Sequence, residues 1–308
     1  MGPTAETESA SDIRSDHWVV RHAPRAVRPY LRLARIDRPI GTWLLLIPCW
    51  WGVAFATASL PDLTWPDPLL FLWFAIGATV MRGAGCCWND IMDRGFDAKV
   101  ARTMQRPIAN GDLTVRQALI FMGLLMLIGL AMLLPMGWFA AMVAISSLVI
   151  VVIYPLMKRV TYWPQFFLGL AFNWGILVAW AAVTGGMALP AALLYAAGIA
   201  WTLGYDTIYA HQDKEDDELI GVKSTALKFG ANTKPWLLGF YTATVALCAA
   251  AGCVAGLAWP FYALLALGAM QLVWQVVGLD FGDPADCLAK FISNRYFGFI
   301  VLVGFVAG

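Results

Sequence analysis

Two clusters of oxygen-bearing side chains stand out by residue type and spacing. The first is Asn89-Asp90-Ile91-Met92-Asp93-Arg94-Gly95-Phe96-Asp97. On a helix that continues through it, Asn89, Asp93 and Asp97 recur every four residues and share one face. Like charges at that spacing repel, so the arrangement is unfavourable unless something positive binds among them. The second cluster begins at Tyr205-Asp206 and runs through His211-Gln212-Asp213-Lys214-Glu215-Asp216-Asp217. There Asp206, Asp213 and Asp217 fall at i, i+7 and i+11, which predicts one helical face again. Carboxylates and an amide oxygen, without histidine or thiolate, are hard ligands suited to Mg²⁺ or Mn²⁺ rather than zinc. Mg²⁺ usually takes one or two carboxylates together with substrate phosphate oxygens. Two clusters facing each other would thus hold ions around a diphosphate. Arg82, Arg94, Arg102, Arg106 and Lys223 lie close by in sequence and could meet the remaining phosphate charge. One such cluster alone reads equally well as a solvated helix end; the pair, matched in spacing and sidedness, points to a site.

The elements that carry the clusters are membrane helices. Of 308 residues, 60% are hydrophobic and 13% charged, with a mean hydropathy of +0.68. A soluble domain carries roughly 25% charged residues, so lipid is the solvent. Apolar runs long enough to cross a bilayer lie near 40–59, 67–88, 117–134, 138–155, 165–183, 189–209, 236–257, 259–279 and 292–307. The fold class this predicts is all-α, a polytopic bundle of about nine transmembrane helices. All 21 lysines and arginines lie before the first run or around the ends of the second, fourth, sixth and eighth. The positive-inside rule places those segments in the cytoplasm or an organelle matrix, and both clusters lie on that side.

A net charge of +1 without a basic run gives no reason to expect nucleic acid as a partner. The six cysteines show no C-x-x-C spacing, and most of them sit inside apolar runs and read as small buried hydrophobes. Residues 1–35 read as a polar tail without a secretory h-region, and 36–308 as a single transmembrane domain. The acidic residues Glu6, Glu8, Asp12 and Asp16 are of a kind that transit peptides avoid, which favours a bacterial inner membrane with the site facing the cytoplasm.

At these residues the sequence resembles the UbiA family of intramembrane prenyltransferases. The family motif N-D-x-x-D-x-x-x-D matches Asn89, Asp90, Asp93 and Asp97. Its second motif, D-x-x-x-D after Tyr-Asp, matches Asp213 and Asp217 after Tyr205-Asp206. Arg38-Pro39-Ile40-Gly41, Arg82-Gly83-Ala84-Gly85, Arg106-Pro107-Ile108, Tyr154-Pro155-Leu156-Met157-Lys158-Arg159 and Gly221-Val222-Lys223-Ser224-Thr225-Ala226 look like the same family's hydroxybenzoate branch. The resemblance runs from about residue 30 to the C-terminus.

It implies a helical bundle around a central cavity open to lipid, Mg²⁺, a polyprenyl diphosphate donor and 4-hydroxybenzoate as acceptor. The reaction implied joins the polyprenyl group to the ring carbon ortho to the hydroxyl and releases diphosphate, a step of ubiquinone biosynthesis. By the same resemblance Asn89, Asp93, Asp213 and Asp217 are expected as metal ligands, with Asp90, Asp97 and Asp206 as further ligands or as orienters of basic residues. Asp93, Asp213, Asp206 and Arg82 are the catalytic candidates. Arg82, Arg94 and Lys223 are candidates for the diphosphate, and Arg38, Tyr154, Lys158 and Arg159 for the acceptor's carboxylate. Other aromatic acceptors, and a membrane phosphatase using the same metal site, remain alternatives. An ion-coupled transporter would instead place its carboxylates near the bilayer midplane, and here they stand at span ends.

Overall fold

In the computed structural model, residues 18–100 and 103–308 are described, and the secondary structure among them is helical. Two short helices, α1 (Trp18–His22) and α2 (Arg28–Leu33), precede α3 (Ile40–Ala58), α4 (Pro68–Asp97) and α5 (Val115–Met132). Then follow α6 (Trp138–Ser146), α7 (Leu148–Val160), α8 (Pro164–Thr184), α9 (Leu189–Ala210), and the short α10 (Lys214–Ile220) and α11 (Thr225–Phe229). The chain closes with α12 (Thr233–Ala255), α13 (Trp259–Val277) and α14 (Pro284–Ala307).

Eight segments among the described residues are long and apolar enough to cross a membrane, with α6 and α7 together forming one of them. The ninth expected span is a helix as well. It is α9, with 22 residues, whose last turns carry Asp206 among Thr202, Tyr205 and Thr207. The chain is an all-α integral membrane protein.

Proline stands in the first turn of α4, α8, α9, α13 and α14, where its missing N–H costs no hydrogen bond. Asp283 caps α14 by accepting from the Ala285 N–H at 2.8 Å. Between α6 and α7, the hydroxyls of Ser146 and Ser147 donate to Val143 and Ala144 carbonyls at 2.7 and 2.6 Å. Such back-bonding loosens a helix, and the span is interrupted at Ser147.

The chain divides into two compact units. In the first, formed up to Thr42 and by Ile76–Met132, Leu33 packs with Cys87, Ile91, Ile108, Leu113 and Ala118. Apolar residues of α5 such as Ile120, Leu124 and Leu127 are exposed, as befits a face that meets acyl chains. The second unit comprises Trp43–Ala75 and Leu133–Gly308, and α9 packs there against α8, α12 and α14. Its centre is aromatic and polar together. Trp51 stacks on Trp201 with centroids 5.0 Å apart, and the two indole N–H groups donate to Gly298 O and Asn294 Oδ1 at 2.7 and 2.9 Å. Tyr241 donates to Gln275 Oε1 at 2.8 Å, and Gln275 donates to Ser293 Oγ at 3.1 Å. Buried polar groups in lipid must find partners within the protein, and these residues supply them to one another.

Where α3 meets α8, Gly52 lets the backbones approach. A Cβ there would sit 2.6 Å from the Ile176 carbonyl oxygen and 2.7 Å from the Ala179 methyl. Gly52→Ala should therefore destabilise the protein by about 1–3 kcal/mol, the cost of overpacking, read as a lower melting temperature in nanodiscs. Gly95→Ala, whose Cβ meets nothing within 4 Å, should not lower it.

Candidate active site

The first cluster lies on the last turns of α4, which continues as a helix to Asp97. Asn89, Asp93 and Asp97 therefore do share a face. Asp90 joins the same stripe, at i, i+3 and i+7 with Asp93 and Asp97. Asp90, Asp93 and Asp97 are all buried, at 1%, 1% and 5% exposure. Buried carboxylates keep their charge when paired and hydrogen-bonded, and two arginines meet two of them. Arg35 Nη2 donates to Asp90 Oδ1 and Oδ2 at 2.7 and 3.0 Å. Arg106 Nη1 donates to Asp97 Oδ1 and Oδ2 at 3.1 and 3.0 Å and reaches Asp90 Oδ1 at 3.4 Å.

Arg35 did not emerge from the sequence as a site residue, since it fell within the polar tail; Arg106 was expected to meet phosphate charge and is engaged with the carboxylates of the cluster. Just past the end of α2, Arg35 has an unusual backbone. It has φ +58° and follows the C-cap residue Ala34. Its own N–H and that of Ile36 return to Arg32 O and Leu31 O, both at 3.0 Å. This is a Schellman ending with arginine where glycine is the usual residue, at a cost of roughly 1–2 kcal/mol for the left-handed conformation.

Other predicted residues of the first unit gather at the start of α3. Arg38 Nε lies 3.5 Å from Asp37 Oδ2, and the Asp37 carboxylate is buried. The Arg82 guanidinium lies flat against Gly41, where a Cβ would come within 2.6 Å of its Nη2. Arg94 is not gathered in. It is exposed, and its Nη1 turns back to the Ile91 carbonyl at 3.1 Å.

In the second unit the single face expected through Asp206, Asp213 and Asp217 is broken. The helix ends at Ala210, His211–Asp213 form a 3-10 turn, and α10 starts at Lys214. The physical reason is composition: past Ala210 the chain turns from apolar to charged, and the helix gives way to a tighter turn. Asp213 becomes the N-cap residue of α10, and Glu215, Asp216 and Asp217 occupy its first turn, where negative charge suits the helix dipole. His211 is buried, bonds Thr233 Oγ1 at 3.1 Å and lies over the Phe281 ring at 4.4 Å. Burial, aided by Lys214, pushes its pKa down to about 4, so the ring is neutral at neutral pH.

After Gly221, whose φ of +74° closes α10, the chain is pinned to the end of α7. The Lys223 N–H donates to Lys158 O at 2.8 Å and its Nζ to Val160 O at 3.0 Å. The Thr225 N–H donates to Gln165 Oε1 at 3.2 Å, and the Thr225 and Thr207 hydroxyls share a bond of 2.7 Å. Lys223 is thus brought beside Lys158 and the helix that carries Tyr154 and Arg159, and its ammonium serves the carbonyl end of that helix.

Residues 45–303 match the UbiA prenyltransferase family. The chain belongs to that family. It is 48% identical to "4-hydroxybenzoate polyprenyltransferase, mitochondrial" of Arabidopsis thaliana, over 99% of this chain and 75% of that protein. It is 49% identical to the Homo sapiens protein of the same name, over 94% of this chain and 78% of that one. Among solved structures, the apo UbiA homolog from Aeropyrum pernix K1 aligns with a TM-score of 0.71 at 25% identity, covering 85% of this chain and 96% of that chain. A UbiA homolog from Archaeoglobus fulgidus bound to GPP and Mg²⁺ aligns with a TM-score of 0.67 at 19% identity, over 89% and 99% of the two chains, and shares the fold.

Within the UbiA-family motif N-D-x-x-D-x-x-x-D, Asp90 and Asp97 are matched to Arg35 and Arg106. Among the described residues no three His, Cys, Asp or Glu side chains form a cluster able to hold a metal ion. A small set of hard oxygen donors, one amide and a few carboxylates, still fits Mg²⁺, which draws the rest of its shell from water and phosphate.

Removing Arg106 would take two hydrogen bonds from Asp97 and weaken the hold on Asp90. Arg106→Ala should cost about 3–5 kcal/mol, the scale for breaking a buried ion pair. Exposed Arg94→Ala should stay within about 0.5 kcal/mol of wild type. Denaturation of both variants in nanodiscs would check the contrast.

Proposed function

We propose that this UbiA-family protein transfers a polyprenyl group from polyprenyl diphosphate to 4-hydroxybenzoate in ubiquinone biosynthesis. The observation that carries the reading is similarity across nearly the whole chain to relatives bearing that activity's name, in a chain that keeps both oxygen clusters. The C–O bond of the allylic diphosphate breaks, a C–C bond forms at the ring carbon ortho to the hydroxyl, and the ring loses a proton.

Each unit has its part. In the first, Asn89 and Asp93 are the proposed Mg²⁺ ligands, and Arg82 the proposed cation for the diphosphate. The guanidinium of Arg82 can lie close to the backbone because residue 41 has no side chain. Arg38, set beside buried Asp37, is proposed for the acceptor carboxylate. In the second unit, Asp213 and Asp217 are the proposed metal ligands at the head of α10. Asp206 orients neighbouring basic groups, and Lys223 with Tyr154, Lys158 and Arg159 forms a cationic end to α7 that suits anionic substrates. When bound, Mg²⁺ supplies Lewis-acid stabilisation of charge on the departing diphosphate. In each unit the basic side chains are proposed to offer charge-assisted hydrogen bonds to phosphate oxygens.

The basic loops are proposed to face the cytoplasm of a bacterium, or the matrix in the corresponding arrangement for relatives named as mitochondrial.

The test uses the protein in membranes with polyprenyl diphosphate and ring-labelled 4-hydroxybenzoate, first with Mg²⁺ and then with excess EDTA. Prenylated hydroxybenzoate that disappears with EDTA is expected. Diphosphate release without a prenylated ring would make the protein a hydrolase or assign it another acceptor. Asp93→Ala and Asp213→Ala should each abolish turnover in folded protein, and normal turnover in either would remove that residue from the metal site.

A further inference from the structure

We propose that Arg35 is a positioning residue for the first oxygen cluster: by holding Asp90 it keeps a surplus carboxylate from the cation, leaving the ion to Asn89 and Asp93. The inference rests on the reading of Asn89 and Asp93 as metal ligands.

Two independent observations carry it. The first is the backbone. Arg35 ends α2 at φ +58° in a Schellman turn, a position that glycine fills most easily. Arginine is a costly residue for that conformation, and what offsets the cost is the reach of its side chain. The second is the reach itself. The guanidinium is nearly buried, bonds both oxygens of Asp90 through Nη2 at 2.7 and 3.0 Å, and ties Nη1 to the Arg32 carbonyl at 3.1 Å. One planar fork thus locks a carboxylate of α4 to the end of α2.

Arg106 cannot replace it. Its Nη1 is engaged with both oxygens of Asp97 and reaches Asp90 only at 3.4 Å. Without Arg35, either Asp90 is left with the 3.4 Å contact to Arg106, or Arg106 shifts to it and gives up its two bonds to Asp97. Both lie within one turn of Asp93, so in either case a further carboxylate is offered to the cation beside the proposed pair. A divalent ion would then be held without needing phosphate oxygens, and in a position that does not serve the diphosphate.

The decisive variant is Arg35→Gly, which suits the turn and removes the guanidinium. Mn²⁺ replaces Mg²⁺ as an EPR-visible probe, and binding is measured on the full protein in nanodiscs with and without inorganic pyrophosphate, beside melting temperature and turnover. Expected for Arg35→Gly is Mn²⁺ binding without pyrophosphate tightened by about tenfold, with kcat lowered about 10–100-fold and KM for 4-hydroxybenzoate unchanged. Arg35→Lys, which keeps the charge but cannot bond Asp90 and Arg32 O together, should fall between, and it serves as the test variant if Arg35→Gly does not fold. Adding Asp90→Asn to Arg35→Gly should return pyrophosphate-free Mn²⁺ binding to the wild-type level.

Unchanged Mn²⁺ binding in folded Arg35→Gly, or tightening that persists in the double variant, would overturn the proposal. Asp93→Ala separates this from the underlying reading. If it binds Mn²⁺ with pyrophosphate as wild type does, the metal-ligand assignment itself fails. If it does not, a negative result at Arg35 counts against Arg35 alone.

Discussion

Three buried carboxylates within two turns of one helix are the constraint around which the first unit is arranged. Each alone would be costly to bury charged, and together they repel. The cost is offset by cations brought from distant sequence: Arg35 from the end of α2 and Arg106 from the segment after α4. That requirement explains why α2 must pack on α4 through Leu33, Cys87 and Ile91, and why its last turn carries an arginine in a glycine conformation. A stretch ahead of the first membrane span thereby becomes part of the scaffold of the oxygen cluster.

The second unit meets the related problem differently. Asp213, Glu215, Asp216 and Asp217 are only partly buried or exposed and sit at the head of a short helix, where backbone N–H groups and dipole favour negative charge. Behind them the fold is rigid. The return segment is bonded through Lys223 and Thr225 to the ends of α7 and α8, and α9 is anchored by its Trp201–Asn294 bond and the Thr207–Thr225 pair. At the head of α10 the helix geometry itself favours the negative charge.

Much of this was legible in the residues. The apolar runs placed the spans, because length and hydropathy decide membrane helices almost alone. Their ends were less visible: α4 and α14 run well past the apolar stretch, to Asp97 and back to Pro284, since a helix can continue into water when polar residues cap and pair it. The four-residue rhythm of Asn89, Asp93 and Asp97 survived because α4 does not break. The rhythm of Asp206, Asp213 and Asp217 did not, because spacing assumes an unbroken helix and the 3-10 turn at His211 carries no strong sequence mark. Arg35 was hidden for a deeper reason. Its role depends on a left-handed turn and on a partner 55 residues away, and periodicity reports neither.

The most direct test of this account is crystallographic. Crystals grown with Mn²⁺ and a non-reacting thiodiphosphate analogue of the prenyl donor would locate the ion by its anomalous signal. The account predicts a peak beside Asn89 and Asp93, with Asp90 still bonded to Arg35 and Asp97 to Arg106. A peak coordinated by Asp90 or Asp97, with the arginines displaced from them, would contradict the division of labour on which the account depends.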